Sequence, residues 1–173
     1  MSEKGLVMKK IAIYPGTFDP ITNGHLDLVK RALRMFDEVI VAVAPSLKKQ
    51  PLFTLQERFR MIHAALRGLK RTRVDEFHSL LVDYVQKTRG VAILRGLRAI
   101  SDFEYELQLA HMNRRLNKNI ETVFMMPSLE YGYLTSTIIK EIASFDGSVT
   151  GLVPPEVEVA LKRKFKEVKY FKD

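Results

Sequence analysis

The 173-residue sequence contains no cysteine. That absence excludes a disulfide-stabilised scaffold, thiolate zinc and iron–sulfur sites, and a cysteine nucleophile. The longest apolar run covers only residues 39–44, too few to span a membrane, and the amino terminus lacks the apolar stretch of a signal peptide. We therefore expect a soluble protein of the cytoplasm with no membrane partner.

Two common phosphate-binding motifs are also missing. The sequence has no Gly-x-x-x-x-Gly-Lys-Ser/Thr run and no Gly-x-Gly-x-x-Gly run. Their absence excludes a P-loop enzyme and a standard dinucleotide-binding protein. No Ser-His-Asp order and no paired-carboxylate motif competes with the phosphate chemistry described below.

Positive charge is in excess, because 28 lysines and arginines stand against 20 aspartates and glutamates, a net charge of +8. Such an excess suggests an anionic partner and leaves open nucleic acid, a membrane surface or a phosphorylated small molecule. Much of it lies near the carboxyl terminus, where cations surround Leu161, Phe165 and Val168 at helical spacing. This pattern is more typical of the solvated face of an amphipathic terminal helix than of a nucleic-acid arm. The cations are Lys162, Arg163, Lys164, Lys166, Lys169 and Lys172.

Short β-branched runs alternate with helical patterns along the chain. This alternation predicts a doubly wound α/β fold with a five-stranded parallel sheet, a single domain over residues 9–173 and a carboxyl-terminal helix. Residues 1–8 are predicted to form a flexible extension. The predicted strands cover residues 11–14, 39–44, 72–77, 91–94 and 122–126.

The helix boundaries are predicted from capping signals and breakers. Thr54 with Glu57, and Ser101 with Glu104, have the spacing of capping boxes at the starts of the second and fourth helices. The third helix follows Ser79 and is predicted to stop at Gly90. The first helix is predicted over residues 24–36, with Leu28, Ala32, Met35 and Phe36 on one side; the fifth covers residues 136–145, and Pro154 and Pro155 introduce the last.

The segment after the first strand, residues 14–25, has the composition of a phosphate cradle. Gly16 and Gly24 allow the backbone to approach a ligand closely, and Thr17 supplies a hydroxyl. His25 falls in the first turn of the following helix, where free amides and the helix dipole favour an anion. The segment therefore predicts a phosphate site with an imidazole in it.

The other three histidines have less informative positions. His63 and His111 lie within the second and fourth helices, where packing or surface roles are the simpler interpretation, and His78 lies in a loop. Only His25 sits at the carboxyl end of a strand beside glycines. It is the one histidine that we expect to act in catalysis.

Cations and hydroxyls follow the other strands, and the carboxyl ends of parallel strands meet at one edge of a sheet. Lys49 follows the second strand, Arg95 and Arg98 the fourth, and the hydroxyl-rich residues 131–137 the fifth. Loops are commonly polar, but this convergence favours a polyphosphate site. Phosphoryl or nucleotidyl transfer suits such residues, because it requires positioning and charge stabilisation rather than a covalent nucleophile.

The acidic run Asp102, Glu104 and Glu106 opens the fourth helix, where complementarity with the helix dipole is an adequate explanation. We therefore predict no metal site built from protein side chains. Mg²⁺ would more readily arrive on the substrate phosphates and keep most of its waters.

Four stretches, residues 14–25, 51–58, 94–106 and 134–141, together closely resemble the bacterial phosphopantetheine adenylyltransferases in order and spacing, over residues 9–160. Thr-x-Gly-His alone would indicate only the wider nucleotidyltransferase superfamily. The resemblance implies a Rossmann-like nucleotidyltransferase fold and transfer of the adenylyl group of ATP to 4'-phosphopantetheine. The products are then dephospho-coenzyme A and pyrophosphate, the penultimate step of coenzyme A synthesis.

The resemblance also implies roles for individual residues. Thr17, His25 and Lys49 would be the catalytic set, with Thr17 and His25 flanking the α-phosphate. Lys49 and Arg95 would hold the incoming phosphate, and Leu81 would line the pantetheine channel. The implied ATP-binding residues are Thr17, Phe18, His25, Gly96, Leu97, Arg98, Glu106, Tyr131, Gly132, Tyr133, Leu134, Thr135, Ser136 and Thr137.

One departure from the family pattern lies in residues 131–137, where Gly132 replaces a common hydroxyl and adds flexibility. The family is usually a homohexamer and often responds to feedback by coenzyme A, and both properties are expectations carried by the resemblance alone.

Two alternative functions remain. A cytidylyltransferase or nicotinate-mononucleotide adenylyltransferase would share the Gly-His loop but differ at Lys49, Arg95 and residues 102–106. A nucleic-acid-binding module would explain the charge but predicts basic surfaces interleaved with aromatics, which are not found beyond the terminal helix.

Overall fold

The computed structural model describes residues 8–45, 50–98 and 100–170, and of residues 100–102 and 168–170 it describes the backbone alone. Strands and helices alternate along these residues as predicted. The strands are β1 Ile11–Gly16, β2 Glu38–Val43, β3 Thr72–Glu76, β4 Gly90–Gly96 and β5 Glu121–Met125. The helices are α1 Asn23–Ala32, α2 Leu55–Ala65, α3 Leu81–Lys87, α4 Ile100–Leu116, α5 Ser136–Ser144 and α6 Pro155–Tyr170.

The five strands form one sheet in the order β3-β2-β1-β4-β5, and every neighbouring pair is parallel. The prediction of a doubly wound parallel sheet is therefore confirmed. The chain crosses from one half of the sheet to the other in the connection from β3 to β4, so the strand order reverses between the neighbouring strands β1 and β4. In sheets of this kind, ligands bind outside the carboxyl ends of the strands at that switch point.

Apolar side chains cover the sheet on both faces. On one face, Ala12 and Tyr14 of β1 belong to a core with residues of α1, α2, α5 and α6. On the other face, Ile13 and Ile93 pack with Val85 and its neighbours in α3. Burial from both sides explains why β2 is an almost continuous apolar run.

The first helix is shorter than predicted. It ends at Ala32 rather than at Phe36, because the following residues make tighter bonds such as Met35 N to Ala32 O (2.9 Å). The chain must then turn into β2, and Asp37 accepts a bond from the backbone N of Lys10 (2.8 Å) at that point. As a result Met35 is 51% exposed rather than part of the apolar side of the helix.

Two strands extend further toward the site than predicted. β1 reaches Gly16, which pairs with Val43, and β4 includes Arg95 and Gly96, which pair with Phe124 and Met125. Arg95 is therefore held by the sheet rather than by a loop. The other three strands agree with their predictions to within one residue at each end.

One predicted capping box is confirmed and the other is not. Thr54 caps α2, with its backbone N donating to Glu57 Oε2 (2.7 Å) and its Oγ1 accepting from Glu57 N (3.2 Å). α4 begins at Ile100, so Ser101 lies inside its first turn and is not the residue preceding the helix. The side chain of Ser101 lies outside the described residues.

The basic carboxyl-terminal segment is helical, as predicted. Leu161 of α6 is fully buried, and several of the cations are paired within the chain. Lys164 reaches Glu57 of α2 at 3.1 Å, which joins the two helices. In the part of the chain that the structure describes, no helix has the length and apolarity to cross a membrane. Residues 1–7 of the expected extension lie outside that part.

The end of α3 corrects a prediction about Gly90. The residue with left-handed backbone after this helix is Arg89 (φ 57°), whereas Gly90 is the first residue of β4. Gly90 is required for a different reason, since a Cβ there would lie 2.9 Å from Cγ1 of Ile13 and 3.0 Å from Cγ1 of Val85. The glycine allows α3 to approach β1 closely.

Substitutions at these two positions should shift stability in opposite directions. Arg89→Gly should raise the free energy of unfolding by about 0.5–1 kcal/mol, because glycine adopts the left-handed region without steric cost. Gly90→Ala should lower it by about 1–3 kcal/mol, because the added methyl overpacks the core. Urea unfolding of both variants measures the two changes. Stabilisation by Gly90→Ala would contradict this description of the turn.

Candidate active site

A cavity of about 440 Å³ opens at the carboxyl ends of β1 and β4, at the switch point of the sheet. Its walls come from the loop between β1 and α1, the end of β4, the start of α5 and Gln50 with Pro51. Of the residues predicted to form the site, it is lined by Thr17, Phe18, His25, Arg95, Gly96, Arg98, Glu106, Tyr131, Leu134, Thr135, Ser136 and Thr137.

The remaining predicted site residues are placed elsewhere. Leu81 lines a second cavity of about 260 Å³, which Arg95 and Glu106 also border, so this ion pair separates the two cavities. Leu97, Gly132 and Tyr133 are not on the wall of either cavity. Leu97 instead donates from its backbone N to Met125 O (3.0 Å), and the side chain of Tyr133 faces outward. Lys49 lies outside the described residues.

His25 is held by the cap of its own helix. Thr22 precedes α1, and the backbone N of Thr22 donates to Nδ1 of His25 at 3.0 Å, while His25 N donates to Thr22 Oγ1 at 3.4 Å. This arrangement is a capping box in which histidine takes the place usually held by Glu or Gln. Because Nδ1 accepts a hydrogen bond from an amide, the neutral ring carries its proton on Nε2.

The surroundings of His25 keep the ring uncharged. Burial, followed by the positive charge of Arg98, lowers its pKa from 6.5 to about 4. At neutral pH the imidazole is therefore a hydrogen-bond donor through Nε2 without a positive charge. A phosphate that bound beside it would meet a directed N–H group.

The ring of Phe18 packs against the imidazole ring of His25. Its ring lies edge-on to His25 (centroids 5.2 Å apart, 77° between planes) and edge-on to Tyr14 (5.3 Å, 79°). Gly16 makes this packing possible, since a Cβ there would lie 2.8 Å from Cζ of Phe18. Phe18 is almost entirely buried and its backbone is left-handed (φ 49°). Its side chain thus belongs to the core, and it borders the cavity as a packing residue.

Arg95 and Glu106 form a two-pronged ion pair. Arg95 Nε donates to Glu106 Oε2 at 2.6 Å, and Arg95 Nη2 contacts Glu106 Oε1. Arg95 Nη1 also donates to Pro15 O (3.3 Å), which orients the guanidinium across the end of β1. Both side chains are largely buried, so the pairing offsets the cost of placing each charge there. The arginine is thus positioned before any ligand arrives.

The start of α5 contributes hydroxyls and free amides to the cavity. Thr135 caps the helix by accepting from Ile138 N (3.0 Å), and Ser136 Oγ donates to Pro20 O (2.8 Å). The first amides of a helix, together with its dipole, favour an anion. The hydroxyl of Ser136 is used within the chain, whereas that of Thr135 accepts in the cap and keeps its own hydrogen to donate, so hydroxyls as well as backbone N–H groups are suited to an anion on this wall.

The loop after β5 is fixed to α1 by two side chains. Asp27 Oδ2 accepts from Ser128 N (3.0 Å), and Arg31 Nη1 donates to Met126 O (2.6 Å). At the start of the same helix, a Cβ on Gly24 would lie 3.3 Å from Cβ of Tyr131. The wall that carries Tyr131 is therefore packed closely against the helix that carries His25.

Three charged residues near the cavity were not identified from the sequence. Asp19 and Lys140 line the cavity and form an ion pair at 2.6 Å. Arg58 is buried in α2 and donates to Thr17 O at 2.7 Å. One signal for Arg58 was present in the sequence, since it shares the buried stripe of α2 with Met61 and Ile62 at i+3 and i+4. The partners of Asp19 come from distant segments, and no local pattern reveals them.

Comparison with known proteins shows which family this chain resembles. The model of the cytidylyltransferase-like family matches residues 13–142. The phosphopantetheine adenylyltransferase of Thermodesulfovibrio yellowstonii is 60% identical over 161 residues, covering 92% of this chain and all of the relative. That of Geobacter sulfurreducens is 58% identical over 156 residues, covering 90% of this chain and 95% of the relative.

Two solved structures share the fold at low sequence identity. A protein described as a candidate nicotinate-nucleotide adenylyltransferase from Vibrio parahaemolyticus superimposes with a TM-score of 0.67 at 16% identity, covering 92% of this chain and 93% of that one. A lipopolysaccharide core biosynthesis protein from Thermoplasma volcanium has a TM-score of 0.54 at 22% identity, covering 69% and 98%. At these identities the likeness concerns the fold alone.

Proposed function

The chain belongs to the phosphopantetheine adenylyltransferases, within the cytidylyltransferase-like family, and on that basis we propose that it transfers the adenylyl group of ATP to 4'-phosphopantetheine. The products are dephospho-coenzyme A and pyrophosphate, in the penultimate step of coenzyme A synthesis. The observation that carries the proposal is identity of 53–60% with six such enzymes over about nine-tenths of the chain. The cavity with His25, Arg95 and Arg98 on its wall supports it.

In the proposed reaction, a phosphate oxygen of phosphopantetheine attacks the α-phosphorus of ATP in line. The new P–O bond forms as the bond to the β-phosphate breaks, and pyrophosphate leaves with the electron pair. His25 donates from Nε2–H to an α-phosphate oxygen as negative charge grows there, and the hydroxyl of Thr17 assists. No covalent enzyme intermediate is needed, so the residues act by positioning and charge stabilisation. Lys49 is proposed to stabilise the same charge.

The two substrates are proposed to enter from different sides of Arg95. Arg95 would hold the phosphate of phosphopantetheine, and the second cavity, lined by Leu81, lies next to it and could hold the pantetheine arm. ATP would occupy the side of Arg98 and the start of α5, with the helix amides near its β- and γ-phosphates. Glu106 would face the ATP while it orients Arg95.

Mg²⁺ is proposed to arrive with the ATP phosphates. Where the structure describes the cavity, its carboxylates Asp19 and Glu106 are each paired with a cation, Lys140 and Arg95. Phosphate oxygens and water are ligands that Mg²⁺ accepts readily. When bound, the ion would neutralise charge on the leaving pyrophosphate.

Assembly, regulation and location are proposed from the family pattern. A homohexamer would cover exposed apolar side chains of α4 such as Tyr105, Met112 and Leu116.

Coenzyme A contains both the pantetheine and the adenylate portions of the product, so feedback inhibition would follow from its binding across the same two cavities. A cytoplasmic location fits an enzyme whose substrates are ATP and a phosphorylated metabolite. Nucleic acid is not a proposed partner, because several cations of α6 are engaged by acidic residues of the chain.

The proposed substrates can be tested by pyrophosphate release. With ATP as donor, release should be at least about a hundredfold faster with phosphopantetheine than with nicotinamide mononucleotide or glycerol phosphate, because Arg95 and the second cavity select the acceptor. Replacing ATP by CTP tests the cytidylyltransferase alternative in the same assay. Faster release with either other acceptor, or with CTP, would overturn the assignment.

The proposed role of His25 can be separated from its structural role by His25→Gln. Glutamine at this position of a capping box can still accept from Thr22 N, so the helix start is retained while the imidazole is lost. Single-turnover rate should fall by about 10²–10³, the usual effect of removing one donor to a developing charge, with a much smaller change in ATP affinity. His63→Gln, within α2, is the matched control and should leave the rate unchanged. A folded His25→Gln protein with a near-normal rate would refute the catalytic role.

A further inference from the structure

Asp19 has an unusual number of partners for a carboxylate in a loop. The residue is 6% exposed, and its two oxygens accept from Leu52 N (3.0 Å) and Phe53 N (2.9 Å). Oδ2 also receives Lys140 Nζ at 2.6 Å. One side chain therefore joins the loop after β1, the segment before α2 and the second turn of α5.

Arg58 of α2 joins some of the same segments through hydrogen bonds to backbone carbonyls. It is 3% exposed and donates to Thr17 O (2.7 Å), Ala44 O (3.1 Å) and Phe53 O (3.2 Å). Burial lowers the pKa of its guanidinium, and the Asp19 carboxylate opposes that shift. Arg58 thus connects the loop that carries Thr17 with both ends of the segment between β2 and α2.

The segments joined by these two residues form several walls of the 440 Å³ cavity. Thr17 and Asp19 line it from the loop after β1, Pro51 from the segment before α2, and Lys140 from α5. A buried charge must keep its partners, since leaving a carboxylate or guanidinium unpaired is costly. The loop after β1, the segment before α2 and α5 are therefore constrained to one arrangement, which links the dimensions of the cavity to Asp19.

We propose that Asp19 is a positioning residue for adenylyl transfer, which sets Lys140 and the segment before α2 relative to Thr17, and that Arg58 supports the same arrangement through its bonds to backbone carbonyls. The inference rests on the proposed function, because it assigns these residues to the geometry of the same site. Asp19 does not itself contact the reacting atoms. Its effect on the reaction passes through the residues that it holds.

The alternative is that Asp19 only stabilises the fold. The chain offers comparable residues away from the cavity. Asp75 accepts from Tyr84 Oη (2.8 Å) and from Glu76 N (2.9 Å) in the edge strand β3. Arg71, which immediately precedes β3, donates to Leu33 O (3.0 Å) and Phe36 O (3.3 Å) at the amino-terminal end of the same strand. Neither residue lines a described cavity, so these two provide controls for stability alone.

The test compares Asp19→Asn and Arg58→Lys with the controls Asp75→Asn and Arg71→Lys. Asparagine keeps the shape of Asp19 but loses one acceptor and the charge, and lysine keeps the charge of Arg58 but cannot reach three carbonyls. We expect kcat of the folded enzyme at saturating substrates to fall about tenfold to a hundredfold in both site variants, because small displacements of positioned groups have effects of this size. The controls should lose thermal stability and keep kcat.

The readout is kcat for each folded variant, with the folded fraction measured by thermal unfolding of the same preparation. If Asp19→Asn does not fold, Arg58→Lys decides the question. A kcat within about twofold of the wild-type value in the folded site variant would overturn the proposal. Wild-type turnover is measured first. If the wild type prefers another acceptor, the proposed substrate fails, and the four variants are compared with that acceptor instead.

Discussion

The hydrogen bond from Thr22 N to Nδ1 of His25 (3.0 Å) determines what the histidine can do. Because Nδ1 is an acceptor in the helix cap, the proton of the neutral ring lies on Nε2. The same contact begins α1 at the switch point of the sheet, so the imidazole and the first amides of the helix share one location. The hydrogen bond that caps the start of α1 is therefore also the bond that orients the proposed catalytic imidazole. A histidine attached to a loop would need separate support for its tautomer and its direction.

Several positively charged groups lie close together in this partly buried cavity, which is electrostatically costly. The rest of the site reduces that cost. His25 contributes a donor without a charge, since burial and Arg98 keep its pKa low. Arg95 is neutralised by Glu106, and Lys140 by Asp19. Arg95 and Lys140 are thus paired with carboxylates within the chain, which limits the cost of burying their charges. In the proposed reaction, a substrate phosphate would compete with these carboxylates for the same N–H donors.

The fold and the position of His25 at the start of α1 could be predicted from the sequence, because both depend on local patterns. Alternating apolar runs and helical segments predict the parallel sheet, and Gly16 and Gly24 mark the turn before α1. The missed features depend on contacts between distant segments. Asp19 binds amides 33 and 34 residues further along the chain. The local pattern predicts a helix end at Gly90, whereas its role is to let α3 approach Ile13, which is 77 residues away in sequence. The sequence pattern does not predict the capping box of Thr22 and His25, because Glu or Gln is the usual partner at that position. The proposed roles of the site residues, including Lys49 outside the described part, stay predictions.

The state of the His25 ring in the free enzyme tests this account most directly. Nitrogen-15 NMR of the protein labelled at its four histidines, with His25 assigned by the loss of its signals in His25→Gln, reports the protonation of each ring nitrogen. Because the folded-state pKa is lowered from 6.5 to about 4, His25 should stay neutral from pH 7 down to the approach to pH 4, with its proton on Nε2. A charged imidazolium at pH 7, or a neutral ring with its proton on Nδ1, would contradict it.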